Sequence, residues 1–217
     1  NLPKSFADTK ALISTSSHSF LNKLLDQHKR FLFVIEHNKK IVGVSGIKAR
    51  TGVDYPYYSF LHCKQEQFPY LELISQRFGP SEIGSLFLAP EFRKKGIGRL
   101  LSLSRFLFIK SFPTLFTPSL IAELRGYLYK NNTSPVWNGI GKSFIPMSFK
   151  RAEQERSHSK IFISSNFPKK PVYLNLIASK ARSYLGCVHP LTEPAKTLLL
   201  SEGFELTQYI DILDGGP

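Results

Sequence analysis

The apolar positions of the chain change period several times, and each change marks an element. Phe31–Glu36 (FLFVIE) and Ile41–Ala49 (IVGVSGIKA) are β-branched and aromatic runs parted by the polar His37–Lys40, which predicts an antiparallel hairpin. Upstream, residues 5–29 place Phe20, Leu21, Leu24 and Leu25 on one helical face, with Ser19 near the start. Arg50–Pro80 keeps neither period and is rich in Tyr, Phe and Pro, so it reads as an insertion or lid, with weak strand character around Tyr57–Cys63. Ile83–Leu88 is then a short apolar run that predicts a buried strand, stopped by Pro90 and Glu91. Behind it, Leu100, Leu101, Leu103, Phe106, Leu107 and Phe108 recur at helical spacing.

Between that strand and that helix lies Arg93–Gly98 (RKKGIG). Gly96 and Gly98 have no Cβ, so an anion can come close to the backbone. The unpaired N–H groups of a first helical turn and the positive end of the helix dipole would point at it. Arg93, Lys94, Lys95 and Arg99 add positive charge around the turn. The order is neither a Walker loop, which needs Gly-Lys-Ser/Thr, nor a dinucleotide fingerprint, which needs a third Gly.

Further along, Ser119–Leu124 predicts a buried strand and Ser134–Gly141 a short helix capped by Ser134 with Pro135 in its first turn. Phe144–Phe149 reads as a strand, Arg151–Ser159 as a polar linker, and Ser183–Val188 as a strand-like run. Glu193–Phe204 predicts a helix closed by a Gly turn, and Leu206–Leu213 a last strand. The helix, Gly, aromatic order of SPVWNGIGKSF returns in EPAKTLLLSEGF, which suggests a duplicated α/β unit, divided as residues 1–150 and 151–217.

The chain has 217 residues, 42 % of them hydrophobic, enough for a core and against disorder. No apolar run approaches ~18 residues, so no membrane span is expected. Cys63 and Cys187 form no disulfide framework, and no metal-ligand cluster stands out, so the expected setting is the cytoplasm. The net charge of +13 fits a polyanionic partner. The basic residues are scattered, and no nucleic-acid motif accompanies them, so nucleic-acid binding rests on charge only.

Arg-x-x-Gly-x-Gly at the start of a long helix resembles the pyrophosphate loop of the GNAT-like acyl-CoA N-acyltransferase superfamily. Several segments together resemble the arginine N-succinyltransferase family: SLFLAPEFRKKGIGRLLSLSRFLFI, AELRG, SPVWNGIGKSFIPMSF, FPKKPVYLNLI, LGCVHPLTEPAKTLLLSEGF and YIDILDGGP. The resemblance implies an α/β fold with a mixed (α+β) sheet, GNAT-like, in two fused or duplicated units. It implies transfer of succinyl from succinyl-CoA to the α-amino group of arginine or ornithine. Leu86, Phe87, Leu88, Arg93, Lys94, Lys95, Gly96, Ile97, Gly98 and Arg99 would hold the acyl-CoA, and His189, within VHPLTEPA, would be the catalytic acid. Two stretches depart from the family, ISSNFP (Ile163–Pro168) and the polar Arg151–Lys160, which leaves substrate choice less fixed than acyl transfer. Family members continue beyond Asp-Gly-Gly-Pro, so a truncated form or a short paralogue is expected here.

Amide formation from a thioester needs a neutral amine, a stabilised oxyanion and a proton for the leaving thiolate, and an imidazole suits the first or last task. The superfamily resemblance implies that an amide at the end of Leu86–Leu88 would meet the oxyanion. A succinyl carboxylate needs a cation, for which Arg125 and Arg105 are candidates. A guanidinium substrate needs carboxylates, for which Glu123, Asp211 and Asp214 are candidates; Glu123 and Arg125 lead as substrate contacts. The partners expected are small molecules, acyl-CoA and an amino acid, with a homo-oligomer open. The alternatives are a non-catalytic or differently specific acyl-CoA-binding paralogue, and a nucleic-acid-binding protein.

Overall fold

The computed structural model describes residues 30–64, 67–93 and 96–217. The helix anticipated in residues 5–29 lies outside them. The described strands are β1 (Arg30–His37), β2 (Lys40–Lys48), β3 (Tyr57–Cys63), β4 (Tyr70–Gln76), β5 (Ser81–Leu88), β6 (Leu120–Ile121), β7 (Val172–Tyr173) and β8 (Tyr209–Ile210). The principal helices are α1 (Ile97–Ser111), α2 (Phe149–His158) and α3 (Glu193–Ser201). The fold is α/β and forms two compact units. One comprises residues up to Asp54 and Arg77–Ala122, the other Tyr55–Gln76 and Glu123–Pro217. The boundary anticipated at residue 150 falls inside α2.

The first unit is a mixed sheet of order β1-β2-β5-β6 with α1 packed on it. β1 and β2 form the expected hairpin, turned at Asn38 and Lys39, both with positive φ as a two-residue primed turn requires. β5 runs antiparallel to β2 and parallel to β6, so β5, α1 and β6 make a strand–helix–strand crossover. Val44, Ile47, Ile83 and Leu101 close the space between sheet and helix. A second apolar seam gathers Phe31, Phe33, Phe112 and Phe116 around Phe108. The Phe106/Phe108 stripe read from the sequence thus divides: Phe108 joins this seam, while Arg105 lies over Phe106.

The second unit is an antiparallel sheet of order β7-β4-β3-β8. Trp137 is its largest fully buried side chain, packed with Phe60, Leu71, Phe149 and Ile212 in one apolar cluster. The Ser134 cap forms as expected: its hydroxyl accepts from the Trp137 amide at 3.0 Å, and the turn continues as a π-helical segment through Gly141.

Six segments differ from the pattern reading. Arg50–Pro80 is no lid, because β3 and β4 pair over seven positions and stand at the centre of the second sheet. Their alternation is hidden in sequence because β3 buries polar Ser59 on one face and polar His62 on the other. Phe144–Phe149 is not a strand, and Arg151–Ser159 is not a linker: Ser148 caps α2, whose apolar contribution is only Phe149 and Ala152. So few apolar residues give a helix no visible period. Ser183–Val188 is a turn ending in a single bridge, and Leu206–Leu213 and Ser119–Leu124 keep only two strand residues each.

Candidate active site

The end of β5 and the start of α1 bring together the first group of anticipated residues. Ala89 hydrogen-bonds to Val42, Pro90–Phe92 turns once, and the Arg93 Nε donates back to the Leu88 carbonyl at 2.9 Å. Lys94 and Lys95 lie outside the described residues. Gly96 enters the helix at φ +80°, a left-handed conformation that glycine adopts without penalty. No side chain caps the helix, and no acidic residue stands in its first turn. Its opening amides and positive dipole end thus keep their attraction for an outside anion. Arg93 and Arg99 flank the turn and are exposed.

β5 itself is prepared for a bound chain. Along β2 the register advances two steps, Val44 to Gly46, while β5 advances three, Phe87 to Gly84. The extra residue is a bulge, and Ser85 within it has φ +53°. On its other edge β5 pairs with β6 only at Ser81 and Glu82. From Ile83 to Leu88 no ladder partner covers that edge among the described residues. Open strand edge, bulge and helix start therefore lie in succession around Leu86, Phe87 and Leu88, which suits hydrogen bonding to an extended amide-bearing ligand.

In the second unit the structure brings His189 and Arg125 together. The His189 amide donates to the Arg125 carbonyl at 2.7 Å, and Gly126 bridges Val188. The His189 Nδ1 accepts the Leu191 amide at 3.2 Å, so the neutral ring carries its proton on Nε2. Burial, followed by the nearby Arg125 charge, lowers the His189 pKa. At neutral pH the ring is therefore neutral and presents an N–H.

Arg125 is committed within the protein. Its guanidinium meets Glu153 at 2.7 Å and Asp214 at 3.1 Å. Arg156 pairs with Asp211, whose carboxylate also accepts the amides of Leu213 and Asp214. Burial pushes Asp211 up, but Arg156 and those amides more than offset it and bring it to about 2. Burial, then the charge of Asp211, pushes Asp214 up to about 7 against the pull of Arg125. Burial also opposes the Arg156 charge, yet Asp211 and then Glu123 hold it above the usual arginine range. Glu123 accepts the Tyr57 hydroxyl. Of the carboxylates expected for a guanidinium substrate, Asp211 and Asp214 thus already face arginines of the chain itself.

The glycines of this region are fixed by close backbone contact. The Leu124 amide donates to the Pro217 carbonyl at 2.9 Å, and a Cβ on Gly126 would meet the Asp214 carbonyl oxygen, Asp214 Oδ1 at 2.6 Å and the Gly216 nitrogen at 2.7 Å. The segment Leu124–Gly126 is held on one side by Asp214–Pro217 and on the other by Val188–His189. Glu153 and Arg156, one helical turn apart on α2, were missed because that segment read as a linker; a helix places residues three apart on one face.

Comparison with known proteins shows the family of the chain. A family model described as the arginine N-succinyltransferase beta subunit matches residues 1–217. The chain belongs to the arginine N-succinyltransferase family. It is 36 % identical over 230 residues to the arginine N-succinyltransferase of Yersinia enterocolitica and 35 % identical to one from Escherichia coli, covering 100 % of this chain and 67 % of each relative. It also matches the structure of arginine/ornithine succinyltransferase subunit AI from Pseudomonas aeruginosa, with TM-score 0.79 and 28 % identity, over 99 % of this chain and 66 % of that one. The chain thus spans about two thirds of these relatives. The family anticipated from the sequence is the one found, and the named function of its members is the N-acyl transfer read there. Among the described residues no helix is long and apolar enough to cross a membrane.

Proposed function

We propose that this protein transfers a succinyl group from succinyl-CoA to the α-amino group of arginine or ornithine. The observation that carries this is the uncapped, acid-free start of α1 at Gly96, placed directly after a bulged strand with an open edge, in a chain matched throughout by this family. The CoA diphosphate lies against the amides of Ile97–Arg99, with Arg93, Lys94, Lys95, Gly96 and Gly98 around it. Leu86–Leu88 receives the pantetheine and thioester, and a backbone N–H there meets the oxyanion. Removing one such donor typically costs ~3 kcal/mol of transition-state stabilisation.

His189 is the proton donor in this proposal. The amine attacks the thioester carbon and the C–N bond forms, giving a tetrahedral oxyanion; the C–S bond breaks as that intermediate collapses. The proton shed by the attacking amine nitrogen charges the ring, which then passes its Nε2–H to the departing sulfur and is left neutral. The sum is amine plus thioester giving amide plus thiol, with the ring unchanged. Glu123 is the proposed contact for the substrate guanidinium, and Arg125 acts beside His189 through the position it fixes. The division into residues 1–150 and 151–217 as duplicated units gives way, in this proposal, to the two contact-defined units, each built on its own four-stranded sheet.

The experiment is an assay of thiol release from succinyl-CoA with arginine and with ornithine, alongside calorimetric titration with CoA. Arginine-dependent release supports the proposal. CoA binding without release supports the non-catalytic paralogue, and absence of CoA binding removes the proposal.

A further inference from the structure

The interface of α1 with its sheet contains a charge that the proposed mechanism does not use. Arg105 is 2 % exposed and shares the buried face of α1 with Leu101 and Ser102. Its Nη2 donates to the Ser102 hydroxyl at 2.6 Å and its Nε to the Ser102 carbonyl at 3.2 Å. Its Nη1 reaches the Gly84 carbonyl of β5 at 3.4 Å. All three acceptors are neutral, and no carboxylate pairs with it among the described residues. Burial lowers its pKa only to about 10, so it keeps its charge at neutral pH.

A buried ion with no counter-ion is costly, and an apolar side chain would fill the same layer without that cost. The place where the charge is spent is informative. Gly84 immediately precedes Ser85, the positive-φ residue of the bulge, and stands two residues before Leu86. Ser45 and Ser102, both fully buried, extend the polar character of the spot. The guanidinium therefore bonds β5 at Gly84, the paired residue next to the bulge. A cation fixed in low dielectric projects a field that is weakly screened, and it favours negative charge arriving nearby.

We propose that Arg105 is a specificity-determining residue: its uncompensated charge, braced beneath the Gly84–Leu86 bulge, selects an acyl chain ending in a carboxylate over a neutral chain of equal length. This rests on the reading that the end of β5 receives the acyl-CoA. It acts on the donor alone and leaves amine selection to other residues.

The test compares succinyl-CoA with butyryl-CoA, which has the same four-carbon chain without the terminal charge. Binding by calorimetry and kcat/KM are measured for the full chain and for R105Q, R105M and R105K. The expected result is a clear preference for succinyl-CoA that falls by roughly ten-fold or more in R105Q and R105M and is largely kept in R105K, which retains the charge. The ratio of two donors on one preparation is insensitive to the folded fraction, so partial unfolding of a variant does not blur it. Equal losses for both donors, with the ratio unchanged, reduce Arg105 to a structural brace and overturn the proposal. If every Arg105 variant fails to fold, the unsubstituted protein decides: equal binding of both thioesters overturns the selectivity but leaves CoA recognition standing. Failure to bind CoA in any form overturns the underlying reading instead.

Discussion

Replacing Gly98 by Ala separates what the fold needs from what the ligand needs. Gly98 is the second residue of α1, and an added Cβ would have Leu88 Cδ2 at 3.9 Å as its neighbour, an ordinary contact. Its φ is not in the left-handed region, so alanine introduces no backbone strain. Alanine is favoured over glycine in helices by ~1 kcal/mol, less near an end, so G98A is expected to raise stability by about 0.5 kcal/mol. For a phosphate the same methyl is an obstacle. Contact with the amide requires an oxygen at ~2.9 Å from the nitrogen, and one hydrogen bond lost to a charged group costs ~1.5–3 kcal/mol. CoA affinity should then fall by roughly 10- to 100-fold. Urea unfolding gives the first quantity and calorimetric titration with CoA the second. The reasoning is refuted if affinity is unchanged while stability rises, because the glycine would then have no ligand to serve. Gly96 provides the contrast: at φ +80° with nothing within 4 Å of a Cβ, G96A meets only conformational strain and should lose about 1 kcal/mol of stability.

Three further outcomes are expected. H189Q should lower kcat by about 10²- to 10⁴-fold while leaving the CoA dissociation constant within two-fold, since the ring donates a proton and holds no phosphate; an unchanged rate removes it from the chemistry. G126A presses a methyl against backbone atoms of Asp214 and Gly216, which no rotamer change relieves, and should cost about 2–3 kcal/mol in denaturant unfolding. Full stability of that variant would show that the Leu124–Gly126 and Asp214–Pro217 segments are not in contact in solution. His62, 7 % exposed with its Nδ1 unpartnered, is lowered to about 4 by burial, then by the Lys64 charge. The folded protein thus disfavours the imidazolium: the contribution of this group is complete above the unfolded value near 6.5 and is lost as pH falls towards 4. H62F should remove a loss on the order of 2 kcal/mol between those limits, measured as unfolding midpoints against pH, and an unaltered profile counts against it.

The alternating and helical periods of the first unit were plain in the sequence because one face of each element there is apolar and nearly continuous. FLFVIE, IVGVSGIKA and SLFL became β1, β2 and β5, and the Leu/Phe run after RKKGIG became α1. The turn between β5 and α1 was legible for a related reason: anion binding at a helix start depends on local backbone and on glycines adjacent in sequence. The family resemblance was carried by the same kind of contiguous stretch, and the matches over the whole chain agree with it.

What only the tertiary structure decided is everything that depends on residues distant in sequence. β3 and β4 earn their place at the centre of a sheet through pairing with β8 and β7, contributed by the far end of the chain. α2 has too few apolar residues to announce itself and is held by the charges it presents, Glu153 to Arg125 and Arg156 to Asp211. Asp211 and Asp214, three residues apart and alike in kind, shift in opposite directions because Arg156 and two amides outweigh burial at the first, whereas burial and the Asp211 charge outweigh Arg125 at the second. Arg105 stands in the sequence only as one of two candidate cations for a carboxylate; the packing of α1 against β5 shows that it is buried without one. Local periodicity fixes elements and turns because its physics is short-ranged, whereas pairing, burial and charge compensation are set by which segments meet.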